Sequence, residues 1–149
     1  MDCNVKWLGP GGMAFVAETG SGHLVPLDGA PEAGGHNLAP RPMELMLAGA
    51  GGCSAFDIVL ILQRAREHVT GCEVKLHAER AETDPKVFTR IQFHFIVRGH
   101  DLKPAMVERA VHLSAEKYCS ASVMLGKTAQ IEHTWEIVPD NEAPGASDA

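Results

Sequence analysis

Hydrophobic and polar residues alternate in three short segments near the start of the chain, a pattern typical of β-strands. Residues 5–8 and 13–17 flank the turn-forming segment 9–12, which predicts a β-hairpin, and residues 23–27 predict a third strand. A segment rich in glycine, proline and asparagine, residues 28–41, then predicts a loop.

Helical periodicity begins at Pro42, since proline suits the first position of a helix. Glycines lower helix propensity, so we expect this first helix to end near Gly51 and a second to run from Cys53 to about His68. The second helix is apolar on nearly every side, apart from Asp57, which we interpret as turned to a helix end or a partner chain.

The C-terminal half returns to alternation, and residues 73–82 and 88–97 predict two long antiparallel strands. A third helix is predicted from Pro104 to near Tyr118–Cys119, with apolar residues at helical spacing. Residues 131–138 predict a closing strand.

This order of elements predicts one α+β domain over residues 1–138, in which antiparallel β-sheets cover central helices. The apolar helix exceeds what one small sheet buries, so we expect an obligate homodimer. Residues 139–149 are polar and rich in proline, glycine and alanine, which predicts a disordered, dispensable tail.

Charge excludes some functions. The net charge of −6, from 19 acidic and 13 basic residues, argues against a nucleic-acid partner. His94, His100 and His112 fall on different predicted elements, so we expect no metal and no other cofactor. The start lacks a signal-peptide pattern, and the longest apolar run, residues 58–62, is too short to span a bilayer. We therefore expect a cytoplasmic protein with reduced thiols and no membrane partner.

Two of the four cysteines lie in contexts that favour redox chemistry. Cys53 follows a run of small residues at a predicted helix start, where free N–H groups stabilise a thiolate, and Cys119 ends the third predicted helix. Cys3, near a terminal strand, and Cys72, in a predicted turn, are interpreted as structural. Buried free cysteines are also common as inert hydrophobic residues.

Two segments resemble the OsmC/Ohr family of osmotically induced and organic hydroperoxide resistance proteins. Residues 42–53, PMELMLAGAGGC, look like the family's proline-to-cysteine helix, and residues 115–122, AEKYCSAS, are similar to its second-cysteine motif. The resemblance implies an OsmC-like fold and an intertwined homodimer with active sites at the subunit interface. It also implies that Cys53 is the peroxidatic cysteine and Cys119 the resolving one, that organic hydroperoxides are the substrates, and that a dithiol such as a lipoyl group is the reductant.

The chain departs from the family pattern around these cysteines. Active hydroperoxidases place a glutamate directly after the motif proline, where this chain has Met43, and Glu44 follows one position later. Glu44 is therefore a second-rank candidate for the catalytic carboxylate. No arginine precedes Arg41, although the family's enzymes use one from the N-terminal strands, and Ser120 replaces a proline that often follows the second cysteine. The sequence thus resembles a divergent OsmC-like branch.

Three hypotheses remain open at this point. The first is a thiol-dependent peroxidase that reduces organic hydroperoxides for oxidative stress defence. The second is a non-catalytic protein that binds a small apolar or electrophilic ligand in a dimer-interface pocket. We predict the lining of that pocket, in either case, to be Met43, Met46, Phe56 and Tyr118. The third is a stable dimeric scaffold with inert thiols.

Overall fold

A computed structural model of the protein describes residues 1–140. Most of the predicted tail, residues 141–149, lies outside the described residues. The chain divides into two compact units, Met1–Ala48 and the part from Gly49 onward. The α+β class predicted from the sequence is confirmed.

The first unit contains a three-stranded antiparallel sheet in the order β1-β2-β3. Its strands are β1 (Cys3–Trp7), β2 (Phe15–Thr19) and β3 (Leu24–Leu27). The predicted hairpin and third strand are thereby confirmed.

Asp28 organises the loop that follows β3. Its buried carboxylate accepts backbone N–H groups from Gly29 at 2.7 Å, Leu38 at 3.0 Å and His36 at 3.2 Å. These hydrogen bonds, that of Leu38 foremost, lower the pKa of Asp28 against the opposing effect of burial. Apart from a short 3₁₀ helix at Pro31–Ala33, this loop has no helix or strand. The Asp28 carboxylate therefore supplies hydrogen-bond acceptors for backbone N–H groups that regular secondary structure would otherwise satisfy.

A single long helix, α1 (Pro42–Arg64), replaces the two helices predicted from the sequence. The predicted break near Gly51 is wrong because this glycine makes a close approach possible: a Cβ there meets Leu76 Cδ1 at 2.7 Å and Val74 Cγ1 at 3.3 Å. Contact with the neighbouring strand outweighs the propensity cost of about 1 kcal/mol. The helix also ends earlier than His68, since Arg66 adopts a left-handed conformation with φ of 60°.

The second unit contains a three-stranded sheet in the order β4-β5-β6. The strands β4 (His68–Arg80) and β5 (Phe88–His100) are antiparallel, as predicted, and β6 (Gln130–Pro139) runs parallel to β5. Cys72 lies within β4 opposite Val97, so its predicted place in a turn is wrong.

The chain between β5 and β6 is helical over most of its length. Helix α2 (Pro104–Leu113) starts at the predicted proline and continues as a π-helical turn, Ser114–Tyr118. A third helix, α3 (Ser120–Leu125), follows directly and was not predicted from the sequence. It has only six residues, too few to show helical periodicity.

One face of the β4-β5-β6 sheet forms the core of the second unit. Phe93 and Phe95 of β5 are fully buried on this face, and His133 of β6 stacks on Phe93 with ring centroids 5.0 Å apart. The imidazole Nε2 of His133 is buried and has no hydrogen-bond partner among the described residues. Burial lowers the pKa of His133, which favours its neutral form in the folded protein.

The length and composition of α1 bear on the expectation that the protein has no membrane partner. Helix α1 is long and apolar enough, by length and composition alone, to cross a membrane, a test that the core helix of a soluble protein also passes. The expected absence of a membrane partner stays a prediction.

At the C-terminal end of the described residues, β6 includes Pro139, and the backbone N–H of Asp140 donates to Gly99 O at 2.9 Å. The boundary between domain and tail stays a prediction.

Candidate active site

Helix α1 presents two adjacent rows of side chains in the second unit. The buried row contains Ala50, Ser54, Ile58 and Leu62, each four residues from the next. Cys53 and Asp57 form the neighbouring row and are half-buried. Residues four apart lie on the same face of a helix, so the thiol of Cys53 and the carboxylate of Asp57 point to the same side.

Cys119 approaches α1 from the end of the π-helical turn. Its backbone N–H donates to Ser114 O at 2.9 Å, the five-residue hydrogen bond that defines such a turn. Cys119 is also the N-cap of α3, and its sulfur accepts the backbone N–H of Ser122 at 3.4 Å. The side chain is fully buried.

Two buried serines complete the surroundings of the Cys119 sulfur. The Ser54 hydroxyl donates to Cys119 Sγ at 3.1 Å, and Ser122 Oγ lies 3.2 Å from Ser54 Oγ. A protonated Cys119 has Ala50 O as its acceptor, at 3.9 Å. The Cys119 sulfur thus accepts hydrogen bonds from two donors, whereas its own proton has only one, more distant acceptor. This arrangement suits a thiolate.

The structure brings the two predicted redox cysteines together. Cys53 Sγ, Cys119 Sγ and a carboxylate oxygen of Asp57 all lie within 4.8 Å of one another. The sulfurs approach to about 2.05 Å in a disulfide, so the pair must close further before it can be oxidised. The same three side chains each offer one atom that is able to ligate a metal ion.

Burial and hydrogen bonding shift the pKa values of the two thiols in opposite directions. Burial alone raises the pKa of Cys119, but hydrogen bonds from Ser122, Ser54 and Cys53 outweigh it, and the net pKa is lowered. Burial raises the pKa of Cys53, and the nearby Cys119 and Asp57 raise it further, against a lowering by the Ala121 N–H. Of the two thiols, Cys119 therefore has the lower pKa and loses its proton more readily.

Asp57 lies beside both sulfurs rather than at a helix end, which corrects that part of the sequence interpretation, while a contact with a partner chain stays a prediction. The Ser114 hydroxyl, at the start of the π-helical turn, donates to Asp57 Oδ2 at 3.2 Å. The spacing of Asp57 four residues after Cys53 was the available signal in the sequence. The roles of Ser54, Ser114 and Ser122 had no such signal, because serine is common and their convergence depends on the tertiary fold.

Glu44 occupies the first turn of α1. One of its carboxylate oxygens accepts the backbone N–H of Arg41 at 2.9 Å, a contact that caps the start of the helix. Met43 is half-buried in the same turn, and Met46 is 51% exposed. All three belong to the first unit, and their predicted roles as catalytic carboxylate and pocket residues stay predictions.

Phe56 and Tyr118 belong to the second unit and are both exposed, Phe56 by 69% and Tyr118 by 49%. Phe56 lines a cavity of about 300 Å³ on α1, together with Val59, Leu60 and, from β4, Cys72. The Nζ atom of Lys117 lies 5.3 Å from the centre of the Tyr118 ring. A shared substrate pocket with Met43 and Met46 stays a prediction.

Comparison with known proteins identifies the family to which this chain belongs. Residues 35–134 match the model of the OsmC family, described as OsmC-like protein. The chain belongs to the OsmC family, and the resemblance noted in the sequence is confirmed.

Its relatives include a curated protein from Escherichia coli K12, Protein YhfA, which is 51% identical over 138 residues, 93% of this chain and 98% of that protein. A hypothetical protein from Aquifex aeolicus VF5 is 25% identical with a TM-score of 0.81, covering 94% of this chain and 97% of its own. An organic hydroperoxide resistance protein OsmC from Legionella pneumophila is 19% identical with a TM-score of 0.64, covering 91% and 97%. The last likeness concerns the fold alone.

Proposed function

We propose that this protein is a thiol-dependent peroxidase that reduces organic hydroperoxides through Cys53 and Cys119. The observation that carries the proposal is the convergence of the two sulfurs, one half-exposed and one fully buried, within 4.8 Å. Family membership supports it, since the family includes proteins named for organic hydroperoxide resistance.

The difference in solvent exposure between Cys53 and Cys119 supports their roles in the proposed reaction. A peroxide from solvent reaches the half-exposed Cys53 more easily than Cys119, whose side chain has no exposed surface. The sulfur of Cys119, held by Ser54 and Ser122, accepts the proton of Cys53 as Cys53 attacks. Cys53 is accordingly the peroxidatic cysteine and Cys119 the resolving cysteine.

The reaction then balances in two steps. The Cys53 sulfur attacks one peroxide oxygen, the O–O bond breaks, and the alkoxide takes a proton and leaves as an alcohol, so that Cys53 becomes a sulfenic acid. Cys119 attacks the Cys53 sulfur, the S–O bond breaks, and the hydroxyl group takes a proton and leaves as water. The two sulfurs supply two electrons; one of the two protons comes from Cys53 and the other from solvent, because Cys119 starts as a thiolate. An external dithiol, such as a lipoyl group, reduces the disulfide.

A homodimer is part of the proposal. Phe56 and Met46 are large apolar side chains on α1 that are more than half exposed in the single chain, which a soluble protein disfavours for a long apolar helix. Sedimentation at micromolar concentration should show a dimer, and Phe56→Asp should shift it towards the monomer. A folded wild-type monomer under these conditions would refute this part.

The peroxidase proposal is tested by steady-state consumption of cumene hydroperoxide with dihydrolipoamide as reductant. Wild-type protein should turn over, Cys53→Ser should lose activity to the uncatalysed rate, and Cys119→Ser should accumulate a dimedone-reactive Cys53. Cys72→Ser is the matched control, because this cysteine is half-buried in the same unit but lies in β4. Turnover that survives Cys53→Ser, or is lost in Cys72→Ser, would contradict the proposal.

One observation favours the alternative of a binding protein. The cavity beside Phe56, lined by Val59, Leu60 and Cys72, combines apolar walls with a half-buried thiol, which suits a small apolar or electrophilic ligand. Mass spectrometry after treatment with one equivalent of peroxide distinguishes the two functions. A Cys53–Cys119 disulfide supports the peroxidase, whereas oxidation of Cys72 with Cys53 still reduced supports the binding protein.

A further inference from the structure

Three side chains of metal-ligand type converge at the cysteine pair. Cys53 and Asp57 come from one face of α1 and Cys119 from the end of the π-helical turn, with their ligand atoms within 4.8 Å of one another. Zn–S bonds of about 2.3 Å and Zn–O bonds of about 2.0–2.2 Å place the ligands of a tetrahedral zinc site roughly 3.5 Å apart. Small side-chain rotations therefore suffice to bring these three atoms onto one ion.

The surroundings already orient two of the three ligands. The Ser114 hydroxyl donates to Asp57 Oδ2 at 3.2 Å, and the Ser54 hydroxyl donates to Cys119 Sγ at 3.1 Å. Hydrogen bonds of this kind hold ligating atoms in position in metal sites and contribute strongly to affinity. Both donors leave the opposite side of the ligand atom available, since a sulfur or carboxylate oxygen has several lone pairs.

The charge of the cluster also favours a cation. Two cysteines and a carboxylate carry only negative charge when ionised, and none of the ion pairs found within residues 1–140 involves Asp57. A set of two thiolates and one carboxylate selects a thiophilic ion such as zinc over magnesium or calcium, which prefer oxygen ligands alone.

We propose that the reduced protein binds one thiophilic divalent cation, represented by Zn²⁺, through Cys53, Asp57 and Cys119. Binding displaces the thiol protons into solvent and forms two metal–sulfur bonds and one metal–oxygen bond, with no change of oxidation state. The fourth position stays open to water, as in catalytic rather than structural zinc sites. Because a disulfide uses both sulfurs, metal binding and oxidation of the pair exclude each other.

This inference needs the reduced cysteine pair but does not depend on peroxidase activity. The sequence predicted no metal site because its histidines fall on different elements. The ligands of the proposed site are two cysteines and an aspartate instead. If the protein is a peroxidase, the bound ion protects the thiols and inhibits turnover. If it is not, the metal site stands by itself.

Cobalt(II) titration of the full-length reduced protein, after removal of reductant, tests the site. We expect thiolate-to-cobalt charge-transfer bands that saturate at one equivalent per chain, and Zn²⁺ should displace the cobalt. Cys53→Ser and Cys119→Ser should abolish these bands. Ser114→Ala, which removes only an orienting hydrogen bond, should weaken binding about tenfold, and Asp57→Asn should weaken it more. Cys72→Ser is the matched control and should bind as the wild type does.

Wild-type protein alkylated with N-ethylmaleimide provides a test that does not depend on whether a variant folds, since its blocked thiols should not bind cobalt. Circular dichroism verifies folding of each variant. The proposal is overturned if cobalt and zinc fail to saturate at one equivalent, if Asp57→Asn binds as tightly as wild type, or if Cys72→Ser removes the bands. A peroxidase assay with and without one equivalent of Zn²⁺ then reports separately on the proposed function.

Discussion

Ser54→Ala tests whether the buried serines support the chemistry of the cysteine pair. The substitution removes the hydroxyl that donates to Cys119 Sγ at 3.1 Å and that contacts Ser122 Oγ at 3.2 Å. Alanine is compatible with the middle of α1 and requires no additional volume at this fully buried position. The helix should therefore persist while the sulfur loses its closest donor.

The magnitude follows from the type of hydrogen bond. A bond to a charged group contributes about 1.5–3 kcal/mol, and 1.4 kcal/mol corresponds to about tenfold in rate. If the Cys119 thiolate accepts the proton of Cys53 during attack, Ser54→Ala should lower kcat/KM for cumene hydroperoxide by about 10- to 100-fold. The backbone N–H of Ser122 remains as a donor at 3.4 Å, so the activity should not vanish.

The assay compares kcat/KM of Ser54→Ala with that of Ser120→Ala, a serine at the exposed start of α3. The control should retain activity within twofold of wild type. Urea unfolding of both variants separates a local effect from loss of folded protein. Equal activities for Ser54→Ala and wild type would refute the reasoning, as would an equal loss in both variants.

Three further predictions concern stability. Gly52→Ala should raise the free energy of unfolding by about 1 kcal/mol, because its Cβ enters open space on α1. Gly51→Ala should lack this gain, or lower the free energy of unfolding by about 1–2 kcal/mol, because its Cβ meets side chains of β4. Urea unfolding of both variants at one protein concentration compares them, and equal stabilisation contradicts the packing argument. Burial lowers the pKa of His133 in the folded protein, so as the pH falls this imidazole becomes protonated in the unfolded chain before it does in the folded one. The free energy of unfolding should therefore fall as the pH drops below about 6.5. Between pH 7.5 and 5.5, His133→Phe should lose less stability than wild type, and an equal loss contradicts this. Removal of residues 141–149 should leave the melting temperature unchanged. Removal of Asp140 as well should lower it, because the backbone N–H of Asp140 donates to Gly99 O of β5. Identical melting curves for the two truncated proteins would refute the role of Asp140.

Local patterns in the sequence were sufficient for the strands. Alternation identified β4 and β5, and a proline marked the start of α2 and of α1. Each of these signals depends on neighbouring residues alone, so it is present in the sequence regardless of what packs around it.

The errors come from interactions between distant segments. The helix break predicted near Gly51 assumed that glycine acts only through its flexibility, whereas the structure uses its missing side chain for contact with Val74 and Leu76. Helix α3 escaped prediction because its six residues lack periodicity. The parallel pairing of β6 with β5 likewise has no local signature.

The candidate site shows the same division. Cys53 and Cys119 were predicted from their sequence contexts and the family resemblance, and the structure brings their sulfurs together. The contacts that govern their chemistry join α1 to the π-helical turn and its end: Ser54 donates to Cys119, and Ser114 donates to Asp57. The sequence spacing of 65 residues between Ser54 and Cys119 conceals a hydrogen bond of 3.1 Å.

The π-helical turn at Ser114–Tyr118 constrains how this part of the chain is able to vary in length. One residue corresponds to about 100° of rotation around a helix, and the wide turn accommodates one residue more than an α-helical turn does. Because the wide turn absorbs one extra residue, Cys119 keeps the orientation that faces Ser54 and α1. A one-residue insertion or deletion in α2 has no such turn to absorb it, so it rotates Cys119 away even though every side chain that touches the sulfur is retained. Substitutions at exposed positions such as Glu116 and Lys117 leave the orientation of Cys119 intact. In engineered or divergent chains, the length of the helical segment before Cys119 is therefore a more decisive marker of a working cysteine pair than the identity of its exposed residues.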